Sequence, residues 1–168
     1  LASVPMYFEF LVNAMLNRTC LVLLITTFHA GLLYGQLEPI GIFDHHQDVG
    51  DPKLKGSAVY DKESQTYTIS AAGKNMWATA DQFHFAWKKI KGDFIIRATV
   101  KFIGKGTDAH RKIGIIARDK LTTDSRYADA CVHGDILTSL QYRTEDGDST
   151  DQVTLSTYHP TEIELERS

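Results

Sequence analysis

The stretch that most restricts the fold runs from Met76 to Phe102, MWATADQFHFAWKKIKGDFIIRATVKF. Phe83, Phe85 and Trp87 stand at alternate positions, Lys91-Gly92-Asp93 makes a turn, and Phe94, Ile96, Ala98, Val100 and Phe102 alternate again. Side chains two residues apart on a strand share a face. The stretch therefore predicts two strands whose aromatic and branched residues found a core. The intervening His84, Ala86, Ile95, Arg97, Thr99 and Lys101 form a second, mixed face.

Shorter segments repeat the pattern. Gly56 to Tyr60 and Thr66 to Ala71 alternate around a polar connection and predict a hairpin. Ile113 to Arg118, Tyr127 to His133, Leu137 to Arg143, the run marked by Val153, Leu155 and Thr157, and Thr161 to Arg167 read as further strands, separated by Gly- and Asp-rich turns. From residue 36 onward no segment keeps a helical apolar period for three turns. About nine short strands predict an all-β, antiparallel β-sandwich over residues 55–168, with residues 36–54 as an ordered loop leading into it. The last strand turns Ile163 and Leu165 inward and stops where a turn should begin. The expectation is a sandwich truncated at its C-terminus by about two to four strands, with an unpaired edge and exposed apolar positions.

The first 35 residues differ in kind. Arg18 precedes the nearly charge-free run CLVLLITTFHAGLLY from Cys20 to Tyr34, the layout of a secretory signal peptide cleaved near Gly35. Met15 makes a better start than Leu1, so residues 1–14 read as an upstream extension. Export to the periplasm or the outside follows, with membrane contact only through this helical signal segment. The alternative is a membrane anchor over residues 20–34 or a buried helix, although a span needs about 20 apolar residues.

A net charge of −3 over 168 residues, without a basic cluster beyond Lys88, Lys89 and Lys91, gives no footprint for nucleic acid. Cys20 and Cys131 are the only cysteines and offer no disulfide framework. Cys131 reads as a small packed thiol.

Several motifs occur in order along the chain: Asp48-Val49-Gly50, Lys55-Gly56-Ser57-Ala58-Val59-Tyr60, Asn75-Met76-Trp77, Asp81-Gln82-Phe83-His84-Phe85-Ala86-Trp87, Gly92-Asp93-Phe94, Ala109-His110-Arg111-Lys112 and the run from His133 to Arg143. Over about residues 41–168 they resemble a secreted bacterial module with a concanavalin/laminin-G-like jelly roll. It is the module that accompanies the propeller of TolB-like proteins, often labelled biopolymer transporters. The resemblance implies a jelly roll that continues past the position of Ser168, and a neighbouring C-terminal propeller of which no repeat lies in these residues.

Three polar groups are candidates for chemistry. Glu162, Glu164 and Glu166 share one strand face, and some sandwich-fold glycoside hydrolases use clustered acids, because hydrolysis needs one protonated and one ionised carboxyl at a set separation. A solvated strand face alternating with the inward Ile163 and Leu165 is the favoured reading, since the segment lacks the bulged, aromatic-flanked acidic motif of those hydrolases. His45-His46 with Asp44 and Asp48 supplies nitrogen and oxygen ligands, but a closed zinc site needs a further, distant ligand. Laminin-G-like sandwiches often hold calcium through loop carboxylates, and Asp44, Asp48, Asp51, Asp146 and Asp148 are the available donors.

The third group is His84, Trp87, His110, Arg111, Arg118, His133, Asp135, Gln141 and Arg143. Multivalent hydrogen-bonding groups beside an aromatic plate suit sugar or peptide recognition on a sheet face, and an arginine fork suits a carboxylate or acidic sugar. The competing reading places Trp87 in the core and pairs the arginines with Asp81, Asp119 and Asp129. No nucleophile elbow, phosphate-binding loop, dinucleotide fingerprint or paired CxxC is present. The function expected is a non-catalytic secreted module that binds carbohydrate or a cell-envelope partner. A glycan-acting hydrolase and a structural support for a propeller are the alternatives.

Overall fold

The computed structural model describes residues 6–11, 39–158 and 160–168. Within those bounds the chain is built of strands and contains no helix: β1 Met6–Leu11, β2 His45–Val49, β3 Ser57–Asp61, β4 Thr66–Ala71, β5 Asn75–Trp77, β6 Ala80–Trp87, β7 Phe94–Ile103, β8 Lys112–Arg118, β9 Tyr127–His133, β10 Thr138–Arg143, β11 Asp151–Thr154 and β12 Glu162–Arg167. They form a sheet in the order β12-β7-β1-β4-β3, a second in the order β11-β10-β9-β8 and a third in the order β2-β6-β5. Every strand pairing is antiparallel. The all-β, antiparallel, sandwich-like character expected from the alternation is therefore present.

The signal segment, its expected cleavage near residue 35 and the alternative anchor at 20–34 lie outside the described residues. Among the described residues no helix is long and apolar enough to cross a membrane. Met6–Leu11, within the stretch predicted to be an upstream extension, forms β1 between β4 and β7. Its MYFEFL sequence is rich in aromatic residues that suit a pleated sheet.

The core lies between the first two sheets. Ala98 and Val100 of β7 and Ile163 and Leu165 of β12 pack with Ile113 and Ile115 of β8 and Val132 of β9. Burying a side chain the size of Ile or Leu contributes about 2 kcal/mol each. At one end Phe43 meets Tyr67 edge-on at 5.1 Å, and the Tyr67 hydroxyl accepts a 2.6 Å hydrogen bond from the Ile42 backbone N–H.

The expected alternation holds on β7, where Ala98 and Val100 are buried and Ile95 is 64% exposed. It is inverted on β6. Ala86 joins the core and His84 is buried, whereas Phe83, Phe85 and Trp87 are only half-buried. Period two says which residues share a face and not which face turns inward. On β6 the close packing goes to the small alanine and to a histidine whose polar atoms are bonded.

The loop expected over 36–54 also contains a strand. β2 pairs along β6 from His45 opposite Trp87 to Val49 opposite Phe83, and Val49 is buried. Tertiary pairing here overrides a segment rich in His, Asp and Gly that carries little strand propensity of its own.

Candidate functional site

A cavity of about 1070 Å³ is lined by β6 and β8, which belong to different sheets and are not paired as strands. Phe83, Phe85 and Trp87 of β6 line one side. Lys112, Gly114, Ile116 and Arg118 of β8, with Asp129 and Cys131 of β9, line the other. The volume reaches the upper end of small-molecule sites, about 300–1000 Å³. A second hollow of about 170 Å³ adjoins Asn75, Trp77, His110, Lys112, Leu137 and Gln152.

One end of the cleft is fixed by Asp81. Arg143 Nη2 donates to Asp81 Oδ1 at 2.9 Å and Nη1 to Oδ2 at 3.0 Å, while Arg118 Nη1 donates to Oδ2 at 3.2 Å. Arg143 also donates to the carbonyls of Ser125, Ala78 and Asp148. Its guanidinium lies 5.2 Å from the Tyr127 ring centroid. Burial lowers the Arg118 pKa, and Asp81 opposes that shift. Arg118 and Arg143 thus clamp the β5–β6 turn onto the second sheet, and Arg126 pairs with Asp119 at 2.6 Å. Of the candidate arginines, Arg118 and Arg143 pair with Asp81 as the competing reading has it, whereas Arg111 donates to the Asp108 carbonyl at 3.1 Å.

The floor is polar and crowded. Lys112 Nζ donates to Met76 O at 2.9 Å and to Gln141 Oε1 at 3.0 Å, and lies 5.3 Å from the Trp77 ring centroid. Burial lowers its pKa. Gln141 donates in turn to Gln152 at 3.1 Å, so its amide is engaged at both ends. Burial pushes the Asp129 carboxyl up to about 7, opposed by the Cys131 thiol and the Lys112 ammonium. Burial also pushes the Cys131 thiol far up, and the Asp129 charge adds to that. The packed-thiol expectation fits, with Ser139 Oγ at 3.4 Å from the sulfur.

His110, Arg111, His133 and Asp135 gather near the start of β8 and the end of β9. His110 Nδ1 is 2.7 Å from Asp135 Oδ2, and this bond holds the Asp135 carboxyl below its usual value. The His110 ring lies 4.3 Å from the His133 ring. His133 is buried with Nδ1 at 3.1 Å from Leu137 O, and Nε2 has no hydrogen-bond partner. Burial lowers its pKa to about 4. The Arg111 guanidinium sits 4.7 Å from the Phe102 ring centroid.

A chain of hydrogen bonds on the opposite face of β6 was not legible in the sequence. Asp48 Oδ1 lies 2.8 Å from His84 Nδ1, and His84 Nε2 lies 2.9 Å from His46 Nδ1. The Asp48 carboxylate also accepts from the Gly56 backbone N–H at 3.0 Å. Burial, then the His84 charge, lowers the His46 pKa. The i,i+2 spacing of His46 and Asp48 was the available clue, but the register that sets Asp48 opposite His84 was not. On the cleft side Trp87 lies 5.1 Å from His45, and Trp87 Nε1 and His45 Nδ1 are buried without a partner.

The remaining candidates fall elsewhere. Glu162 and Glu164 project from β12 beside Arg97, outside the cleft lining, with side chains 63% and 38% exposed. Among the calcium candidates, Asp48 is committed to His84 and Gly56, Asp51 lies near Lys55, and Asp146 pairs with Lys120 and Arg126. Asp44 and Asp148 are exposed. Among the described residues no three His, Cys, Asp or Glu side chains come together as a metal site.

No protein-family model, curated protein or solved structure matches the chain.

Proposed function

We propose that this chain is an exported, non-catalytic jelly-roll module of the kind that accompanies TolB-like propellers, and that it binds an acidic glycan in the cleft between β6 and β8. The observation that carries this reading is the cleft itself. Half-buried Phe83 and Phe85 offer flat apolar surface, and the cleft lining combines Lys88, Lys89, Arg111 and Lys112 with hydrogen-bonding groups. Apolar planes with convergent polar donors suit sugar rings, and cations favour those that carry carboxylates. The unpartnered indole nitrogen of Trp87, which belongs to the cleft lining, supplies a further buried position for a ligand hydroxyl.

The geometry favours binding over hydrolysis. Glycoside hydrolysis needs two cooperating carboxyl groups. Asp129 has the raised pKa of an acid, but Asp81, a carboxylate whose charge acts on it, is locked between Arg118 and Arg143. Calcium plays no part in this reading, and the partner domain would be a propeller in the same exported polypeptide.

Glycan-array binding with Phe85→Ala, Trp87→Ala, His110→Ala and Arg111→Ala tests the reading. Binding to uronate-containing glycans, weakened about tenfold or more by at least two of the changes while thermal stability is kept, is the expected result. Binding to nothing, or binding that none of the four changes alters, removes it.

A further inference from the structure

Three side chains shared by β2 and β6 are joined end to end. Asp48 Oδ1 is 2.8 Å from His84 Nδ1, and His84 Nε2 is 2.9 Å from His46 Nδ1. The Gly56 backbone N–H donates to the same Asp48 carboxylate at 3.0 Å. An ionised carboxylate only accepts, so His84 Nδ1 carries its hydrogen toward Asp48 and His84 Nε2 is left as an acceptor. The hydrogen in the second bond then belongs to His46 Nδ1, and His46 Nε2 is bare.

Counting protons sets what acid does to this chain. One added proton fits on either ring. On His46 it strengthens the existing bond to His84, and on His84 it turns that bond round, with Nε2 donating to His46 Nδ1. A second added proton has no such place. Every ring nitrogen then carries hydrogen, and two donors of like charge face each other across 2.9 Å.

Which ring yields follows from packing. The His84 side chain is 2% exposed, and a Cβ on Gly56 would come within 2.2 Å of His84 Nδ1, so the Gly56 backbone lies close against that ring. His46 is only half-buried, and its Nδ1 is held by His84. The charges acting on His46 are His84 across the strand pair and Asp48 on its own strand, while Lys55, next to Gly56, pairs with Asp51 and His45 lies against Trp87. Burial and then the His84 charge lower the His46 pKa, in keeping with a last proton taken up by this ring.

We propose that Asp48, His84 and His46 form an acid-sensing latch between β2 and β6, which holds one added proton without moving and expels the His46 ring when it takes a second. His84 stays bonded to Asp48, and β2 keeps its backbone pairing with β6. What is lost is a side-chain tie to the strand whose Phe83, Phe85 and Trp87 line the cleft. The latch depends on no particular occupant of that cleft.

The test follows both rings by long-range proton–nitrogen NMR of the protein with isotope-labelled histidine, titrated from about pH 8 to about pH 4. At the upper end Nδ1 of both rings should carry hydrogen and both Nε2 atoms should be bare. On acidification the pair should titrate in two separate steps whose apparent values belong to the pair. Contacts between the two rings should survive the first step and vanish with the second, while the Gly56 amide signal keeps its bonded position. His46→Gln supplies a side chain that can both donate and accept. This variant should titrate at His84 in one step, with no displacement at position 46. Asp48→Asn removes the charge that holds the first proton, so the first step should move to lower pH by about one unit or more. Loss of ring contact at the first step, its survival after both rings are charged, unfolding of the chain before the second proton enters, or a first step unmoved by Asp48→Asn would overturn the proposal.

Discussion

Arg143 on β10 and Asp81 on β6 meet in a two-pronged ion pair at 2.9 and 3.0 Å, with both side chains fully buried. The pair joins two different sheets, and Arg118 adds a second guanidinium to the same carboxylate. Removing one partner of a buried pair leaves an uncompensated charge and costs about 3–5 kcal/mol. Here one substitution, Asp81→Ala, would strand two cations. It is expected to cost at least that much in urea unfolding, more than Arg126→Ala, whose ion pair with Asp119 is half-exposed. A loss below about 1 kcal/mol would show that the clamp does not hold the sheets together.

Two glycines separate steric from conformational need. A Cβ on Gly73 would lie 1.6 Å from the Gln82 carbonyl oxygen, which is backbone and cannot swing away. A Cβ on Gly92 would meet nothing, but its φ of +79 disfavours any other residue. Gly92→Ala should therefore cost about 1–2 kcal/mol, and Gly73→Ala about 3 kcal/mol or more, because the β4–β5 connection must move. Thermal melts of the two variants check the order, and a milder effect at Gly73 would mean that the strand relaxes freely.

The strands were legible wherever apolar residues alternated over five or more positions, as in β7, β8 and β9, because period two survives any packing arrangement. The inward face of β6 was not. Phe83, Phe85 and Trp87 are the larger apolar residues, yet Ala86 occupies the core, and only the position of the neighbouring sheet decides that. Arg118, Arg143, His110, His133 and Asp135 were visible as a polar set, but not that Asp81 takes both arginines. Nor could the sequence show the Asp48–His84–His46 chain, which depends on the β2–β6 register.

Cys131 offers a probe of the second sheet. Its side chain is buried, and burial together with Asp129 keeps the thiol protonated far above neutral pH. Because the thiolate is the reactive form, alkylation at Cys131, read by peptide mapping at pH 8, should be about 100-fold or more slower in the native protein than in urea. Rapid native labelling would show that the sheet opens toward solvent on that side.

Stability against pH should reveal two buried groups acting in opposite directions. Asp129 rises from an ordinary value of 3.8 to about 7, so between those limits the native state keeps a proton that the unfolded chain has released. Stability then falls as pH rises through that window. His133 drops from 6.5 to about 4, so between those limits the unfolded chain holds a proton that the native state lacks. Stability then rises with pH, and the lowered His46 adds in the same direction. Each group alone changes stability by at most about 1.4 kcal/mol per pH unit. From about pH 4.5 to 6.5 the wild-type curve is expected to be shallow because the slopes oppose. Asp129→Asn removes the falling component, so stability should climb by roughly 2 kcal/mol across that range. His133→Gln removes the rising component of that ring, and the curve should tilt the other way. Urea melts at half-unit pH steps make the comparison, and two variants that both keep the wild-type slope would show that neither group titrates out of register with the unfolded chain.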